Sequence, residues 1–567
     1  MKKMMLAAAA AVLALSLVGC SGGSSAKGKK SAMNISVFTI QQREQPPADN
    51  KAYKWIEEKF GVTFSWDILV GDKDQKIGVL IASGDLPDLV EVDSEKFQGA
   101  GCLRDLKPLV EKYAPNLRKH YESAWKKMID QDSEKDSNGN IVKEHIYSLP
   151  NYGVIDGVPS DTYYNQNGWW IQKAVLKEFG YPKIKTVDEY FDLLEKYYKK
   201  YPTLDGAPTI PFSIITADWE AFDLWNPPNF LAGYPNDGNG HITLENGKYV
   251  YTDNFVDENA KRWFKLANGY FQRGLIDPAS FTDNRDQYYA KIAQGRVLGM
   301  FIQGWQFMGD NAENALWSAG KDERTYAPLA ITFDESIRPH YRDQSLPNLQ
   351  RGYGITVKCP EDKAIKILKF MDTMIEEENQ KVLYWGFEGQ DYQIDAQGRP
   401  YRTDKQRADQ KDPDWIQKNR ATLWIEEAPK LEGTLKSGYT RNMDDLAWEY
   451  ELSQKAVDIE LWKAYGVGSY AELIDANAPK NAGWYPMWQC NPSAEKGGFE
   501  EEAAVAMTGF ETIQRKYLPQ MIMGKPADFE ATWAEYCKLL KPLTETYNKF
   551  MQQQLDNRVA NFGGFQD

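Results

Sequence analysis

Near its start the sequence alternates apolar runs with amphipathic segments, and this alternation restricts the fold more than any other feature. Asn34–Ile40 and Thr63–Leu69 have the length and the β-branched or aromatic content of strands, and Leu89–Val92 is a third apolar run. The intervening segments have helical spacing and end at Gly61 and Gly84. Strands alternating with helices predict a parallel sheet with helices on its faces, and therefore an α/β fold.

Helical patterns dominate the rest of the chain. Residues 103–128 are helical in pattern, with breaks predicted at Pro108 and Pro115. Thr186 and Glu189 have the spacing of a capping box at the start of another helix. Beyond Asp391 the chain is rich in tryptophan and charged residues and mostly helical in pattern.

The N-terminus has the composition of an export signal followed by a tether. Two lysines precede the apolar stretch Met4–Val18, which is shorter than the roughly 20 residues that span a bilayer. Its ending, LVGC, resembles the bacterial lipobox, so we expect cleavage before Cys20 and lipidation of the Cys20 sulfur. Residues 1–19 are then a signal peptide and residues 20–33 a flexible tether. The protein would be lipid-anchored on the extracytoplasmic face of the bacterial cell membrane.

Length, charge and cysteine spacing exclude several classes. A chain of 567 residues predicts two or three domains. A net charge of −14 disfavours nucleic acid as a partner, because phosphates are bound by Lys and Arg. The cysteines and histidines show no metal-ligand spacing, so we expect no metal and no cofactor. A disulfide among Cys102, Cys359, Cys490 and Cys537 remains open.

Aromatic residues are unusually frequent for a hydrophilic chain. The sequence holds 18 Trp and 32 Tyr, more than a core readily absorbs. Flat apolar faces with polar edges suit sugar rings, whose hydroxyls hydrogen-bond nearby. The alternative for any one ring is a place in the core or in an interface.

Six phrases carry a family resemblance, and they occur in family order over nearly the whole mature chain. They are LIASGDLPDLVEV from Leu80, LRDLKPLVEKYAPNLRK from Leu103, WIQKAVLKEFGYPKIKTVDEYFDLLEKY from Trp170, GLIDP from Gly274, AQGRVLGMFIQGW from Ala293 and YWGFEGQDYQIDAQGRP from Tyr384. The chain resembles the extracellular solute-binding lipoproteins of carbohydrate ABC importers, and in particular the large oligosaccharide-binding subfamily.

The resemblance implies a two-lobed, periplasmic-binding-protein-like (type II) α/β fold. Crossing hinge segments would join the lobes, and a helical extension would follow at the C-terminus. The expected first lobe is 34–151 plus 327–385, and the second is 152–326 plus 386–567. The implied partners are a sugar or oligosaccharide held between the lobes and the permease subunits of an ABC transporter, and we expect a monomer.

One departure from the family bears on metal binding. Relatives with an Asp-rich calcium loop carry it where this chain has Lys200–Phe212, and here only Asp205 supplies a carboxylate. Calcium takes six to eight oxygen ligands, so we predict no calcium at this position. The segment Asp132–Asn140 also lacks the closing Glu of a calcium loop, which favours a solvated turn.

Candidate ligand-binding residues come from loops at strand ends and from the resemblance. The resemblance implies that Glu388 and Tyr392 face the sugar and that Trp305 lies under a sugar ring. The sequence pattern predicts an irregular loop that contains Trp219 and Trp225. The remaining candidates are Gln41 and Arg43 after the first strand, Asp93 after the third, and Trp484, with Trp488 beside it, as a wall of the second lobe.

Two alternatives remain open from the sequence alone. An exported carbohydrate-active enzyme, a glycosidase or lyase, would need two suitably spaced carboxylates, and sequence does not report separations. No nucleophile motif such as GxSxG is present. The same binding fold could also take a peptide or another small solute.

Overall fold

The computed structural model describes residues 32–41, 43–91, 95–136, 141–152, 162–234, 238–309, 312–342, 349, 351–475, 486–488 and 490–564. The strands within these ranges, in chain order, are β1 (Met33–Thr39), β2 (Val62–Ile68), β3 (Leu89–Glu91), β4 (Glu134–Lys135), β5 (Ile141–Lys143), β6 (Asn167–Gln172), β7 (Thr203–Leu204), β8 (Ala207–Pro208), β9 (Ile210–Ser213), β10 (Gly240–Glu245), β11 (Lys248–Asp253), β12 (Val297–Gln303), β13 (Tyr326–Leu329), β14 (Tyr353–Ile355), β15 (Gln393–Ile394) and β16 (Pro400–Tyr401).

The helices of the same ranges are α1 (Lys51–Phe60), α2 (Lys73–Ser83), α3 (Glu95–Gly99), α4 (Lys107–Tyr113), α5 (Pro115–His120), α6 (Trp125–Asp132), α7 (Lys173–Glu178), α8 (Val187–Lys200), α9 (Phe222–Trp225), α10 (Pro227–Leu231), α11 (Glu258–Gln272), α12 (Arg285–Ala293), α13 (Gly304–Phe307), α14 (Glu313–Ser318), α15 (Glu361–Met374), α16 (Glu377–Tyr384), α17 (Asp404–Asp409), α18 (Pro413–Asn419), α19 (Thr422–Glu427), α20 (Ala447–Ser453), α21 (Ala456–Tyr465), α22 (Tyr470–Ile474), α23 (Gly498–Met523) and α24 (Phe529–Phe562).

The first lobe is built on the sheet β14-β3-β1-β2, in which β1 runs parallel to β2 and β3 while β14 is antiparallel to β3. The predicted strand and helix order is confirmed. Helix α1 begins where the Asn50 side chain accepts from the Tyr53 amide, and it ends at Gly61, whose φ of 63° is left-handed.

The second lobe is built on the sheet β13-β6-β12-β9. Strand β6 is antiparallel to both β12 and β13, and β9 runs parallel to β12. Every residue of β6 and β12 is buried, as in central strands covered on both faces. The predicted capping box of Thr186 and Glu189 is present at the start of α8.

One predicted helix break is wrong. Pro108 lies in the first turn of α4 and Pro115 is the first residue of α5. The missing N–H of proline costs nothing at that position, because a first-turn amide has no partner within the helix. The helical stretch is therefore interrupted near Pro115, as predicted, and again between α5 and α6, at 121–124.

Two segments lie in a different lobe from the one predicted. Strand β13 pairs with β6, so 327–329 belongs to the second lobe and the return to the first lobe comes later in the chain. The ring of Trp424 in α19 lies 5.0 Å from that of Phe64 and 5.5 Å from that of Tyr353, both in first-lobe strands. The segment around α19 therefore packs on the first lobe and not on the second.

A helical hairpin, α23 and α24, closes the described chain. It packs on the second lobe, where Asn548 donates to Asp253 over 2.7 Å. The far end of α24 reaches the first-lobe core, because the Phe562 ring meets that of Trp488 edge-on at 4.8 Å. The Arg558 guanidinium lies over the same indole at 4.6 Å. The predicted C-terminal helical extension thus contacts both lobes.

The structure contains no disulfide among Cys102, Cys359, Cys490 and Cys537, because all four are free thiols. No helix in the described ranges combines the length and the apolar character needed to cross a membrane.

Candidate functional site

The carboxyl ends of the parallel strands meet where the chain passes between the lobes. Leu149 lies just before the chain first passes from the first lobe to the second, and it forms a β-bridge with Tyr353 at the start of β14. Tyr353 in turn pairs with Glu91 at the end of β3. In the second lobe the passage enters at Asn167, which pairs with Gln303 at the end of β12. Ligands of open α/β sheets bind outside these strand ends, so both edges define the candidate site.

Two exposed tryptophans lie together at the second-lobe edge. Trp219 belongs to a 3-10 turn that follows β9, and Trp305 belongs to α13, which follows β12. Their side chains are 57% and 44% exposed. The ring planes are parallel within 3° and the ring centroids are 5.8 Å apart, which is an offset stack. Sequence reasoning named both residues separately, and the structure joins them in one aromatic platform.

A buried polar network lies beneath this platform. The Gln306 side-chain amide donates to Glu220 Oε1 over 3.3 Å and to Asp223 Oδ2 over 2.9 Å. Tyr289 donates its hydroxyl to Glu220 Oε1 over 2.6 Å, and Arg285 Nε donates to Glu220 Oε2 over 2.9 Å. Glu220 and Gln306 are 0% and 1% exposed. Their buried hydrogen bonds therefore fix the backbone on which Trp219 and Trp305 are carried.

Helix α23 holds the backbone that leads into the platform. Arg515 donates to the carbonyl oxygens of Thr216 (3.3 Å) and Asp218. Asp218 has a φ of 46°, a left-handed value that a residue with a Cβ adopts only at a cost in energy. The C-terminal extension therefore supports the turn that presents Trp219.

Trp225 lies in the second-lobe core, so the prediction that it binds ligand is wrong. It ends α9 and is 4% exposed within the second-lobe core, so its faces are covered by protein. The segment predicted to be an irregular loop contains α9 and α10, whose apolar side chains pack inward.

At the first-lobe edge, Gln41 lies beside two buried carboxylates. Its Nε2 donates to Glu91 Oε1 over 3.3 Å and to Glu427 Oε1 over 3.2 Å. Arg43 forms an ion pair with Glu426 at 3.3 Å, and both of these side chains are less than half exposed. Asp93, predicted at this edge, lies outside the described residues, as do Trp484 and Cys20.

Sequence reasoning missed the residues that surround Gln41. Glu91 is 1% exposed and Glu427 is fully buried, while Arg351 Nη2 lies 2.6 Å from Glu427 Oε1. Glu91 had a usable signal, because it is a charged residue inside the apolar run LVEV. Glu427 had none, since neighbouring charged residues hide it in the sequence.

Burial controls the protonation of this carboxylate pair. It raises the pKa of Glu427 to about 8, with the charge of Glu91 adding to the effect and the guanidinium of Arg351 opposing it. Burial also raises the pKa of Glu91, against hydrogen bonds from Thr39 and the Ile40 amide. Two buried carboxylates that share the donor Gln41 and face the single guanidinium of Arg351 therefore resist being ionised at the same time.

Glu388 and Tyr392 lie on a different part of the chain. Tyr392 packs edge-on against Trp385 at 5.6 Å, and Glu388 is exposed. Neighbouring Asp391 accepts from Lys51 at the start of α1 over 2.8 Å, which attaches this segment to the first lobe. No described contact joins it to the platform, and its role in ligand binding stays a prediction.

The candidate Trp488 and the lone carboxylate of the absent calcium loop, Asp205, both lie outside the second-lobe edge. Trp488 is fully buried in the first-lobe core, so the prediction that it forms a wall of the second lobe is wrong. Asp205 lies in the β7–β8 hairpin, where its carboxylate pairs with Arg324 and Lys321, each at 2.9 Å. Within the described residues no group of three His, Cys, Asp or Glu side chains is arranged to hold a metal ion.

Comparisons with known sequences give consistent matches. The sequence pattern of the family described as bacterial extracellular solute-binding protein matches residues 51–387. The chain is 30% identical over 255 residues to the fructooligosaccharide ABC transporter substrate-binding protein FusA of Streptococcus pneumoniae serotype 4. That alignment spans 43% of this chain and 45% of the relative, so it covers less than half of either protein.

Solved structures share the fold over a longer range. S. pneumoniae FusA in complex with kestose has a TM-score of 0.61 at 19% identity, covering 93% of this chain and 100% of that chain. The HMO-binding ABC-transporter-associated solute binding protein from Bifidobacterium longum infantis ATCC 15697 has a TM-score of 0.63 at 15% identity, covering 93% of this chain and 99% of that chain. These likenesses establish the two-lobed solute-binding fold.

Proposed function

Because the chain belongs to the bacterial extracellular solute-binding proteins, we propose that it captures a neutral oligosaccharide between its lobes and passes it, chemically unchanged, to an ABC importer. The observation that carries this proposal is the exposed, parallel pair of Trp219 and Trp305 at the second-lobe edge. The matched family and the 30%-identical relative are solute- or substrate-binding proteins and not enzymes.

The platform suits a sugar because it combines an apolar face with nearby polar groups. Two indoles that remain about half exposed in a folded protein offer apolar area without a protein partner, which is a common sign of a binding site. Stacking a sugar ring on an indole removes apolar C–H surface from water, while the hydroxyls at the ring edge stay free to hydrogen-bond. A ligand bound between the lobes would then shift the protein toward a closed form, in which the first lobe covers the ligand.

Charge near the platform favours a neutral ligand. Glu220 and Asp223 lie directly beneath it, and Asp218 precedes Trp219. These three carboxylates outnumber the two guanidiniums that the described residues place nearby, those of Arg285 and Arg515. A uronate or sialylated sugar would bring like charge toward these carboxylates, and juxtaposed like charges oppose binding. The relative that is 30% identical over 255 residues is named for fructooligosaccharides, so these sugars head the list of ligands to test.

Membrane attachment is the second part of the proposal. The lipobox-like LVGC at Cys20 and the small, polar residues that follow support a lipid-anchored protein on a flexible tether. We expect palmitate or a related acyl chain on Cys20, a monomeric receptor, and two permease subunits as its membrane partner. Mass spectrometry of the mature N-terminal peptide tests the anchor, and a Cys20→Ala protein recovered unlipidated from the culture medium would support it.

A calorimetric titration of the purified protein tests ligand capture. The panel should hold kestose and nystose, a uronate oligosaccharide and a tripeptide, and each ligand should be analysed by mass spectrometry after incubation. Binding to the native state only would raise the free energy of unfolding by about 2.7 kcal/mol at a hundredfold excess over Kd.

Each result has a defined meaning. Saturable binding of a neutral oligosaccharide that is recovered intact supports the proposal. Turnover of any sugar would favour the exported-enzyme alternative, and binding of the peptide alone would overturn the carbohydrate assignment.

A further inference from the structure

One carboxylate holds the first-lobe ends of two passages between the lobes: the first passage, from Asn151 to β6, and the second passage, from β13 to β14. The side-chain amide of Asn151, which precedes the first passage, donates to Glu427 Oε2 over 2.9 Å. The guanidinium of Arg351, which ends the second passage two residues before β14, donates to Glu427 Oε1 over 2.6 Å. Glu427 itself ends α19, and its side chain is fully buried.

A second carboxylate completes the cluster from the sheet side. Glu91 ends β3 and accepts from Thr39 over 2.7 Å and from the Ile40 amide over 2.9 Å, both at the end of β1. Gln41 Nε2 lies within 3.3 Å of an oxygen of each glutamate, and Arg351 Nη2 lies 3.7 Å from Glu91. The two carboxylates therefore share donors, and one cation faces both of them.

We propose that Glu427 is a positioning residue of the hinge: its carboxylate fixes the first-lobe ends of the first two passages, and its repulsion with Glu91 across the single guanidinium of Arg351 sets how firmly they are held. The effect on ligand affinity rests on the proposed function, whereas the effect on the hinge does not. Nothing in the sequence pattern assigns such a role to the segment after β16.

The charges around Glu427 explain the dependence on a proton. Glu91 and Arg351 face it from the ends of β3 and of the second passage, and Glu426 and Lys430 flank it along the chain. The hydroxyl of Tyr353 on β14 also lies within the electrostatic reach of Glu427. With one proton in the pair, a single negative charge faces Arg351. When that proton leaves, two buried carboxylates face one guanidinium, and their repulsion loosens the cluster.

Lys430 is the other nearby group that titrates in the same range. Burial lowers its pKa to about 8, and its ammonium donates to the carbonyl oxygens of Ile425 and Glu426. A substitution at Glu427 leaves Lys430 in place. Loss of the pH response in such a variant would therefore assign the response to the carboxylate.

Two substitutions at Glu427 have opposite expected effects. Glu427→Gln mimics the protonated form, and its amide can pair with Asn151 Oδ1, a buried oxygen that has no hydrogen-bond partner among the described residues. Glu427→Ala removes both ties at once. Glu378→Gln on α16, an exposed carboxylate of the same lobe, is the matched control.

Hydrogen exchange of the ligand-free protein measures the hinge directly. Peptides covering 145–166 and 335–356 are followed at pH 6 and pH 9, after correction for the intrinsic pH dependence of amide exchange. We expect wild type to exchange faster at pH 9, Glu427→Ala to be fast at both pH values, and Glu427→Gln to be slow at both. Equal exchange in Glu427→Ala and wild type, or an unchanged pH response in Glu427→Gln, would overturn the proposal. If Glu427→Ala does not fold, Asn151→Ala should loosen the first passage alone.

The affinity measurement uses kestose as the probe. A loosened hinge has more freedom to lose on closing, so the wild-type Kd should rise about fivefold from pH 6 to pH 9, the lower end of typical coupling between linked sites. Glu427→Gln should abolish that rise and Glu378→Gln should keep it. Absence of kestose binding by wild type would count against the proposed ligand class, while the exchange measurement would still decide the role of Glu427.

Discussion

The side-chain amide of Gln306 donates to the carboxylate of Glu220 over 3.3 Å, and each of these residues directly follows one tryptophan of the exposed pair. The bond joins the turn after β9 to the helix after β12 beneath the platform. The parallel arrangement of Trp219 and Trp305 is thus supported by buried polar contacts, which fix geometry more tightly than an exposed stack alone.

Removing either indole of the platform should weaken ligand binding without unfolding the protein. We expect Trp219→Ala and Trp305→Ala each to cost about 2 kcal/mol of binding free energy, or about thirtyfold in Kd, by analogy with aromatic hot spots. Because both side chains are about half exposed, the free energy of unfolding should change by less than about 1 kcal/mol. Phe499→Ala, an exposed aromatic of α23, is the control. Unchanged affinity in both tryptophan variants would remove the platform from the site.

Gln306→Leu tests the support of the platform. Loss of the amide leaves the Glu220 and Asp223 carboxylates without a shared donor, so we expect about 1–3 kcal/mol of lost stability in urea unfolding. Affinity should fall as well, although a side chain that is 1% exposed cannot reach a ligand. Gln553→Leu, exposed on α24, should change neither quantity. Full affinity in a destabilised Gln306→Leu protein would limit the network to a structural role.

Glu313 should make stability fall as pH rises toward neutrality. Burial raises its pKa to about 7 from the ordinary 4.5, so between these values the folded protein binds a proton that the unfolded chain has lost. Stability contributed by that proton is present below pH 4.5 and is lost as pH rises through about 7. The shift corresponds to about 3 kcal/mol at most.

Thermal unfolding of Glu313→Gln checks this expectation. The variant should lose the decline between pH 5 and pH 8 and exceed wild type in melting temperature at pH 8. The exposed Glu501→Gln should follow the wild-type profile. A wild-type decline that persists in Glu313→Gln would assign the titration to another buried acid, such as Asp132, whose pKa burial also raises to about 7.

A buried ion pair attaches helix α21 to the second lobe. Lys173 in α7 pairs with Asp458 in α21, both almost fully buried, and Tyr470 donates to the same carboxylate over 2.5 Å. Asp458→Asn should destabilise the protein by about 3–5 kcal/mol in denaturant unfolding, because it leaves the Lys173 ammonium buried without its counter-ion.

The same two helices supply the control for this pair. Lys177 and Glu460 also join α7 to α21 at 3.0 Å, but their side chains are 41% and 45% exposed. Glu460→Gln should cost about 1 kcal/mol or less. Comparable losses from the buried and the exposed substitutions would show that burial does not set the strength of the attachment.

Local patterns predicted elements well and their partners poorly. The strand and helix order up to β3, the glycine that ends α1 and the capping box of α8 were all readable, because each depends on residues close together in the chain. A strand pattern reports burial but does not say which sheet provides it. The pattern therefore does not reveal that β13 joins the second-lobe sheet or that α19 packs on the first lobe.

The candidate site shows the same division. Trp219 and Trp305 were identifiable as loop aromatics after strands, and Gln41 as a polar residue at a strand end. Their neighbours come from distant segments: Gln306 contacts Glu220 across 86 positions, and Glu427 contacts Gln41 across 386. Trp225 looked like its neighbour Trp219 in the sequence, and only packing separated a core ring from an exposed one.

By itself the sequence determined the α/β class, the order of most elements and the family resemblance, since these follow from short-range periodicity, capping and recurrent phrases. The tertiary structure alone decided which tryptophans stay exposed, which lobe the late segments join, and that one buried glutamate meets the first-lobe ends of the first two passages between the lobes. The physical reason is that burial and hydrogen bonding depend on distances in space, and segments hundreds of residues apart set those distances only when the chain has folded.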